Sequence, residues 1–363
     1  MAAIDVTRRV EPGTVALLDR LARWDLTSIA TIRSSYAAVG PAPVPADPRV
    51  RRTDEVIAGI DGRPAVRVRW YRPTAADGAL PCLVWLHGGA YIMGTLDEND
   101  DRLDRMVIEL GCAVVSVDWR LAPEHPYPDG LDDADTVWRQ VSQDPAGYGL
   151  DPARLVLGGA SAGAGLAAAL CLRLRETGLP QPALQLLIYP MLDDREVTPS
   201  IRAIGEDPGH WGLWRLRANR LCWQAYLGPL AGGDIPPTAV PARAQDLSGL
   251  APAFLAIGDV DAYLGENLDY AARLSRAGVP TELHVYPGVI HGGFGARPRT
   301  PRTAQFLRDV YGALAAAFEP EEKRLWIWSG RSRSWTRGYG RRRTSWRSCA
   351  CSAATDRSST AGR

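Results

Sequence analysis

The sequence predicts an α/β fold, a mostly parallel, doubly wound sheet of about eight strands with helices on both faces. Three observations predict it. The runs Cys82 to Leu86, Ala113 to Val117, Leu155 to Leu157 and Leu184 to Ile188 are almost continuously apolar, as strands buried on both faces should be. Segments of helical spacing separate most of them. Finally, the third run ends in Gly159-Ala160-Ser161-Ala162-Gly163 and passes into an Ala-rich stretch to Arg175, the pattern of strand, tight turn and helix.

The elements follow in order. From Pro12 to Val39, Val15, Leu18, Leu21, Leu26, Ile29 and Ile32 recur at helical spacing, with small Ala22 on the same face. Val66, Val68 and Trp70 alternate with Arg67, Arg69 and Tyr71, which predicts an antiparallel strand with one wet face. Helices are expected over Asn99 to Leu110, Leu131 to Val141, Ala162 to Arg175, Leu264 to Ala277 and Thr303 to Phe318. Ala253 to Ile257 and Leu283 to Tyr286 complete the sheet. Residues 191–228 interrupt the alternation with Trp211, Trp214 and Trp223, rings that could wall an apolar pocket or simply pack.

Chemistry enters at the turns. Glycines around Ser161 admit a sharp elbow, and a helix starting at Ala162 aims free N–H groups at the reacting oxygen. Alone, such a motif also fits an ordinary packed turn. Upstream, His87-Gly88-Gly89-Ala90-Tyr91 follows a strand, and a Gly-Gly pair lets backbone donors approach an oxyanion. Downstream, His291 lies in the glycine-flanked loop after Leu283 to Tyr286, placed to act as a general base. Asp259 and Asp261 follow the run Ala253 to Ile257, where a carboxylate can orient that imidazole. Serine, acid, histidine is the chain order of an α/β-hydrolase.

With these motifs in place, the chain resembles the hormone-sensitive-lipase-like family of bacterial carboxylesterases. His87-Gly88-Gly89-Ala90 is similar to that family's H-G-G-G motif and Gly159 to Gly163 to its G-D-S-A-G elbow. Asp118-Trp119-Arg120-Leu121-Ala122-Pro123-Glu124-His125-Pro126-Tyr127-Pro128 resembles its D-Y-R-L-A-P-E-x-x-F-P segment, and Asp261 to Glu266 its D-P-L-x-D-E. Ala90, Ala160, Ala262 and Gly265 depart from those patterns. The resemblance implies Ser161 as nucleophile, His291 as base and Asp261, rather than Asp259, as the acid, with Gly88, Gly89 and Ala162 as oxyanion donors. It implies that His87 props the oxyanion loop. It also implies an N-terminal helical cap over 1–45, a catalytic domain over 46–319 and a second cap piece over 191–228. Tyr91, Trp211 and Trp214 are the candidate substrate-pocket residues.

Composition sets limits on this reading. Hydrophobic residues make up 46% and charged residues 23%, which suits a globular protein. No stretch approaches the ~20 apolar residues of a membrane span, and Asp5, Arg8, Arg9 and Glu11 leave no apolar signal region. Cys82, Cys112 and Cys171 fall in apolar segments and read as reduced core residues, so the expected compartment is the cytoplasm. The formal charge of +1 hides an asymmetry. Residues 320–363 hold eleven Arg and Lys against three Asp and Glu, leaving 31 basic against 38 acidic in the rest. That tail lacks apolar periodicity and reads as a disordered extension, not a nucleic-acid arm. Asp193 and Asp194 lack further ligands at metal spacing. Neither cofactor nor metal is expected, and the partner is a small-molecule ester, with no nucleic acid or membrane insertion and with homodimerisation open.

The expected reaction is hydrolysis of short- to medium-chain esters through an acyl-enzyme. Amidase, lactonase or deacetylase activity uses the same groups, and a non-catalytic receptor can share the fold.

Overall fold

A computed structural model describes residues 9–12, 24–39, 44–205, 216–293 and 300–320. Eight strands form one sheet: β1 (Val50–Ile57), β2 (Val66–Pro73), β3 (Leu80–Leu86), β4 (Ala113–Val117), β5 (Leu150–Ala160), β6 (Gln185–Ile188), β7 (Ala253–Val260) and β8 (Thr281–Ile290). Their order is β1-β2-β4-β3-β5-β6-β7-β8. The β1–β2 and β2–β4 pairs are antiparallel and the other five are parallel. The described helices are α1 (Ile29–Val39), α2 (Asp100–Leu110), α3 (Asp129–Gln143), α4 (Ala162–Glu176), α5 (Pro199–Gly205), α6 (Leu216–Leu227), α7 (Leu264–Arg276) and α8 (Pro301–Phe318). Helix α2 packs beside α8 and α3 beside α4, covering the two faces of the sheet.

The central strands are almost continuously apolar and buried on both faces: Leu83, Val84, Trp85 and Leu86 of β3 are wholly inaccessible, as are Val114 and Val115 of β4. Helix α4 lies against the sheet with Ala, Gly, Leu and Cys171 making up its first three turns, all buried, because small side chains let helix and strand approach closely.

Parallel register places the chemistry. Leu86 pairs with Gly159, Ala160 with Ile188, Ile188 with Ala256, and Val260 with Ile290. The residues that leave the strands next, His87, Ser161, Tyr189, Asp261 and His291, therefore emerge along one carboxyl edge, where ligands meet open α/β sheets.

Three elements differ from the sequence expectation. Strand β1 is absent from it because Arg51-Arg52-Thr53-Asp54-Glu55 looks like a solvated loop. Its charges are satisfied instead: Arg52 donates to Asp104 at 2.9 Å and to Asp100 at 2.7 Å, both on α2. Tyr71 does not line a wet face of β2; it is buried and its hydroxyl donates to Asp100. Strand β8 runs past the expected end at Tyr286, through Pro287 and Gly288 to Ile290, and His291 follows it directly in the turn before Gly292 and Gly293. Asp259 explains the continuation: its Oδ1 accepts the Gly288 N–H at 2.6 Å across an irregularity between β7 and β8.

Trp211, Trp214 and residues 321–363, like most of the proposed N-terminal cap, lie outside the described residues. No described helix is long and apolar enough to cross a membrane.

Candidate active site

Ser161 occupies the turn between β5 and α4 with φ +54° and ψ −119°, a conformation that costs an L-residue strain and persists only when the surroundings enforce it. The neighbours supply that enforcement. The Ser161 N–H donates to the Ile188 carbonyl at 2.9 Å, and the Ser161 carbonyl accepts from Gly165 at 2.9 Å and Met191 at 3.1 Å. A side chain at Gly163 would sit 2.1 Å from the Leu86 carbonyl oxygen, so only glycine fits.

The Ser161 hydroxyl lies 2.9 Å from Nε2 of His291. Nδ1 of the same ring lies 2.8 Å from Asp261 Oδ2. A carboxylate only accepts, so the ring proton rests on Nδ1 and leaves Nε2 to accept from serine. Asp261 is inaccessible to water, and its other oxygen accepts the Tyr263 N–H at 2.9 Å. Two aromatic rings flank the imidazole edge-to-face, Tyr189 at 4.9 Å and Tyr263 at 5.0 Å. Asp259 takes no part in this row, since its second oxygen pairs with Arg9 at 2.6 Å.

The loop after β3 passes beside Ser161: a Cβ on Gly88 would lie 3.5 Å from that of the serine. Ala162 opens α4, so its N–H has no intrahelical acceptor. His87 is buried, stacks on Trp119 at 4.8 Å and donates Nδ1–H to the Gly88 carbonyl at 2.8 Å. Ala90 stands at φ +54° where the resembling motif has glycine.

Tyr91 is a correction. The sequence places it on a substrate pocket, but it is 1% exposed, stacked on Tyr226 at 3.9 Å, with its hydroxyl donated to the Met191 carbonyl. Trp223 packs on the same pair, at 5.2 Å from Tyr91. Apolar rings beside one another gain more from mutual burial than from lining an open wall.

Other positioning groups carry little signal in the sequence. Glu266, fully buried on α7, accepts the Leu192 N–H at 2.7 Å, and Asn267 donates to the Pro190 carbonyl at 2.9 Å. Together they fix the loop that follows β6. Burial pushes the Glu266 carboxyl well above the usual carboxylate range. Arg33 of α1 donates to the Ile92 and Ala122 carbonyls and to both oxygens of Glu124, each at 2.7 Å. Its guanidinium holds the Glu124 carboxyl down at about 2. Among the described residues, no three His, Cys, Asp or Glu side chains gather as metal ligands. Asp193 pairs with Arg195 and Asp194 with Arg243. Cys82, Cys112, Cys171 and Cys222 are buried free thiols.

A doubly wound sheet that presents serine, histidine and aspartate in series beside a glycine loop defines a serine hydrolase of the α/β class. The description "alpha/beta hydrolase fold" belongs to the family model that matches residues 83–295, and the chain belongs to that family as a hormone-sensitive-lipase-like bacterial carboxylesterase. It is 36% identical over 273 residues to carboxylesterase NlhH of Mycobacterium tuberculosis, a match covering 73% of this chain and 83% of that one. It is 34% identical to ethyl acetate hydrolase of Pseudomonas putida, over 62% of this chain and 70% of the other. The solved structure of a bacterial heroin esterase superposes with a TM-score of 0.81 at 32% identity, covering 86% of this chain and 99% of that one.

Proposed function

We propose that Ser161 is the nucleophile of this carboxylesterase, with His291 as general base and Asp261 holding its tautomer. The unbroken row of hydrogen bonds, 2.9 Å from Ser161 to His291 and 2.8 Å from His291 to Asp261, carries this assignment. Ser161 Oγ attacks the ester carbonyl as His291 Nε2 takes its proton; the alcohol leaves with that proton; water, deprotonated by the same nitrogen, then releases the acid. The N–H groups of Gly88, Gly89 and Ala162 face the developing oxyanion, and each such donor is worth roughly 3 kcal/mol. The substrates are small esters of short to medium acyl chain, a reading supported by the similarity to an ethyl acetate hydrolase. The enzyme acts in the cytoplasm without a cofactor, on a diffusible ester rather than on nucleic acid or a membrane, and can work as a homodimer.

Hydrolysis of p-nitrophenyl esters from acetate to laurate tests this. Turnover should peak at short or medium chains and vanish in Ser161→Ala. No turnover by folded wild-type protein on any ester would move the assignment to amides, lactones or ligand binding.

A further inference from the structure

The turn that bears Asp261 is bound to the inserted segment 191–228 by side chains. Ser200 Oγ donates to the Ala262 carbonyl at 2.9 Å and accepts from Gly265 N–H at 2.8 Å. Between those contacts lies Tyr263, wholly buried, its carbonyl accepting from the Asn267 N–H at 3.1 Å and from Asn267 Nδ2 at 2.9 Å. Its N–H donates to Asp261 Oδ1 at 2.9 Å. Its ring meets the His291 imidazole at 5.0 Å and 81°, an edge-to-face contact. Its hydroxyl donates to Asn219 Oδ1 on α6 at 2.9 Å. Asn219 is itself fixed, since its Nδ2 donates to Glu196 Oε1 at 3.1 Å while Glu196 Oε2 accepts from Arg220 at 2.8 Å.

One residue thus touches the acid through its backbone, the base through its ring and the inserted segment through its hydroxyl. We propose that Tyr263 is a positioning residue that couples helix α6 to the His291 imidazole through the Tyr263–Asn219 hydrogen bond. The inference rests on His291 and Asp261 serving Ser161 as described above. Its physical basis is the geometry of the ring. An edge-to-face contact restrains the imidazole plane only while the phenol ring is held, and the hydroxyl bond to α6 holds the far end of that ring. A base that swings by a small angle still touches serine but delivers the proton less often, which lowers the chemical step and leaves substrate binding alone.

The test is a double-mutant cycle on the full chain, with kcat and KM for p-nitrophenyl acetate and the melting temperature measured for each variant. Tyr263→Phe keeps the ring and removes the bond; Asn219→Ala removes the same bond from the other side, so either variant decides the matter if the other fails to fold. Each should lower kcat about fivefold with KM within about twofold, and the double variant should be no slower than the slower single one. A wild-type kcat in folded Tyr263→Phe, or losses that multiply in the double variant, would overturn the proposal. Ser161→Ala measured alongside separates the two readings. Turnover surviving in Ser161→Ala defeats the nucleophile assignment itself. A dead Ser161→Ala beside a fully active Tyr263→Phe defeats only the coupling.

Discussion

Ser161 and Asp261 stand at the same edge of one sheet, yet they are held there by different means. The serine turn is fixed by backbone: the carbonyls of Leu86 and His87 press on Gly163, and Ile188, Gly165 and Met191 bond the Ser161 peptide groups. The aspartate turn is fixed by side chains from elsewhere in the chain, with Ser200 and Asn219 gripping its residues and Glu266 binding it to the loop after β6. Steric positioning by glycine tolerates no added atom. Positioning by hydrogen bonds is graded, because each bond contributes on the order of 1 kcal/mol net.

After loss of Ser161 itself, the acid turn offers the largest effect. Asp261→Asn should lower kcat by roughly 10³–10⁴-fold, because an amide favours the wrong imidazole tautomer. Asp259→Asn should leave kcat within a few-fold and lower the melting temperature instead, since Asp259 binds Gly288 and Arg9. Steady-state kinetics of both variants decides which carboxylate serves the base, and the reverse pattern would exchange their roles.

Gly163→Ala comes next. The new methyl would lie 2.1 Å from the Leu86 carbonyl oxygen at the end of β3 and 2.3 Å from that of His87, neither able to withdraw. A loss of about 3 kcal/mol in denaturant unfolding is expected, at the upper end of overpacking costs. A stability near wild type would mean that the elbow is looser than its contacts indicate.

Glu266 gives a graded and pH-dependent effect. Glu266→Ala leaves the buried Leu192 N–H unpaired and should cost about 2 kcal/mol, whereas Glu266→Gln keeps an acceptor and should cost less. The sign with pH follows from burial, which raises the folded pKa above the ordinary 4.5. The unfolded chain then releases its proton first, so this group's contribution to stability is full below that value and falls as pH rises toward the folded pKa. Melting temperatures between about pH 5 and pH 9 should decline less in Glu266→Gln than in wild type. Parallel curves would remove Glu266 as the source.

The smallest effect belongs to Ala90→Gly. Relief of strain at φ +54° offsets the greater freedom glycine gives the unfolded chain, so the stability change should stay within about 1 kcal/mol. Calorimetry checks it, and a larger loss would mean that the Ala90 methyl packs against something it needs.

The contrast between the two turns also explains what the sequence reveals. The elbow is legible because glycine, serine and glycine are local, and the runs beside them are apolar on both faces. Strand β1 is not, because its charges look solvated until Asp100 and Asp104 of α2 are brought opposite Arg52. Strand β8 is cut short in the sequence by Pro287-Gly288, a reliable breaker unless a partner such as Asp259 takes up the free N–H. Tyr91 looks like a pocket residue because its stacking partner, Tyr226, lies far along the chain. Tyr263 and Asn219 form no motif at all, since only the fold brings them together.

Labelling the full chain with a fluorophosphonate and locating the adduct by mass spectrometry tests whether Ser161 forms the acyl-enzyme. One adduct per chain is expected on the peptide containing Ser161, and none in Ser161→Ala. An adduct on any other residue, or esterase activity that survives full labelling of Ser161, would contradict it.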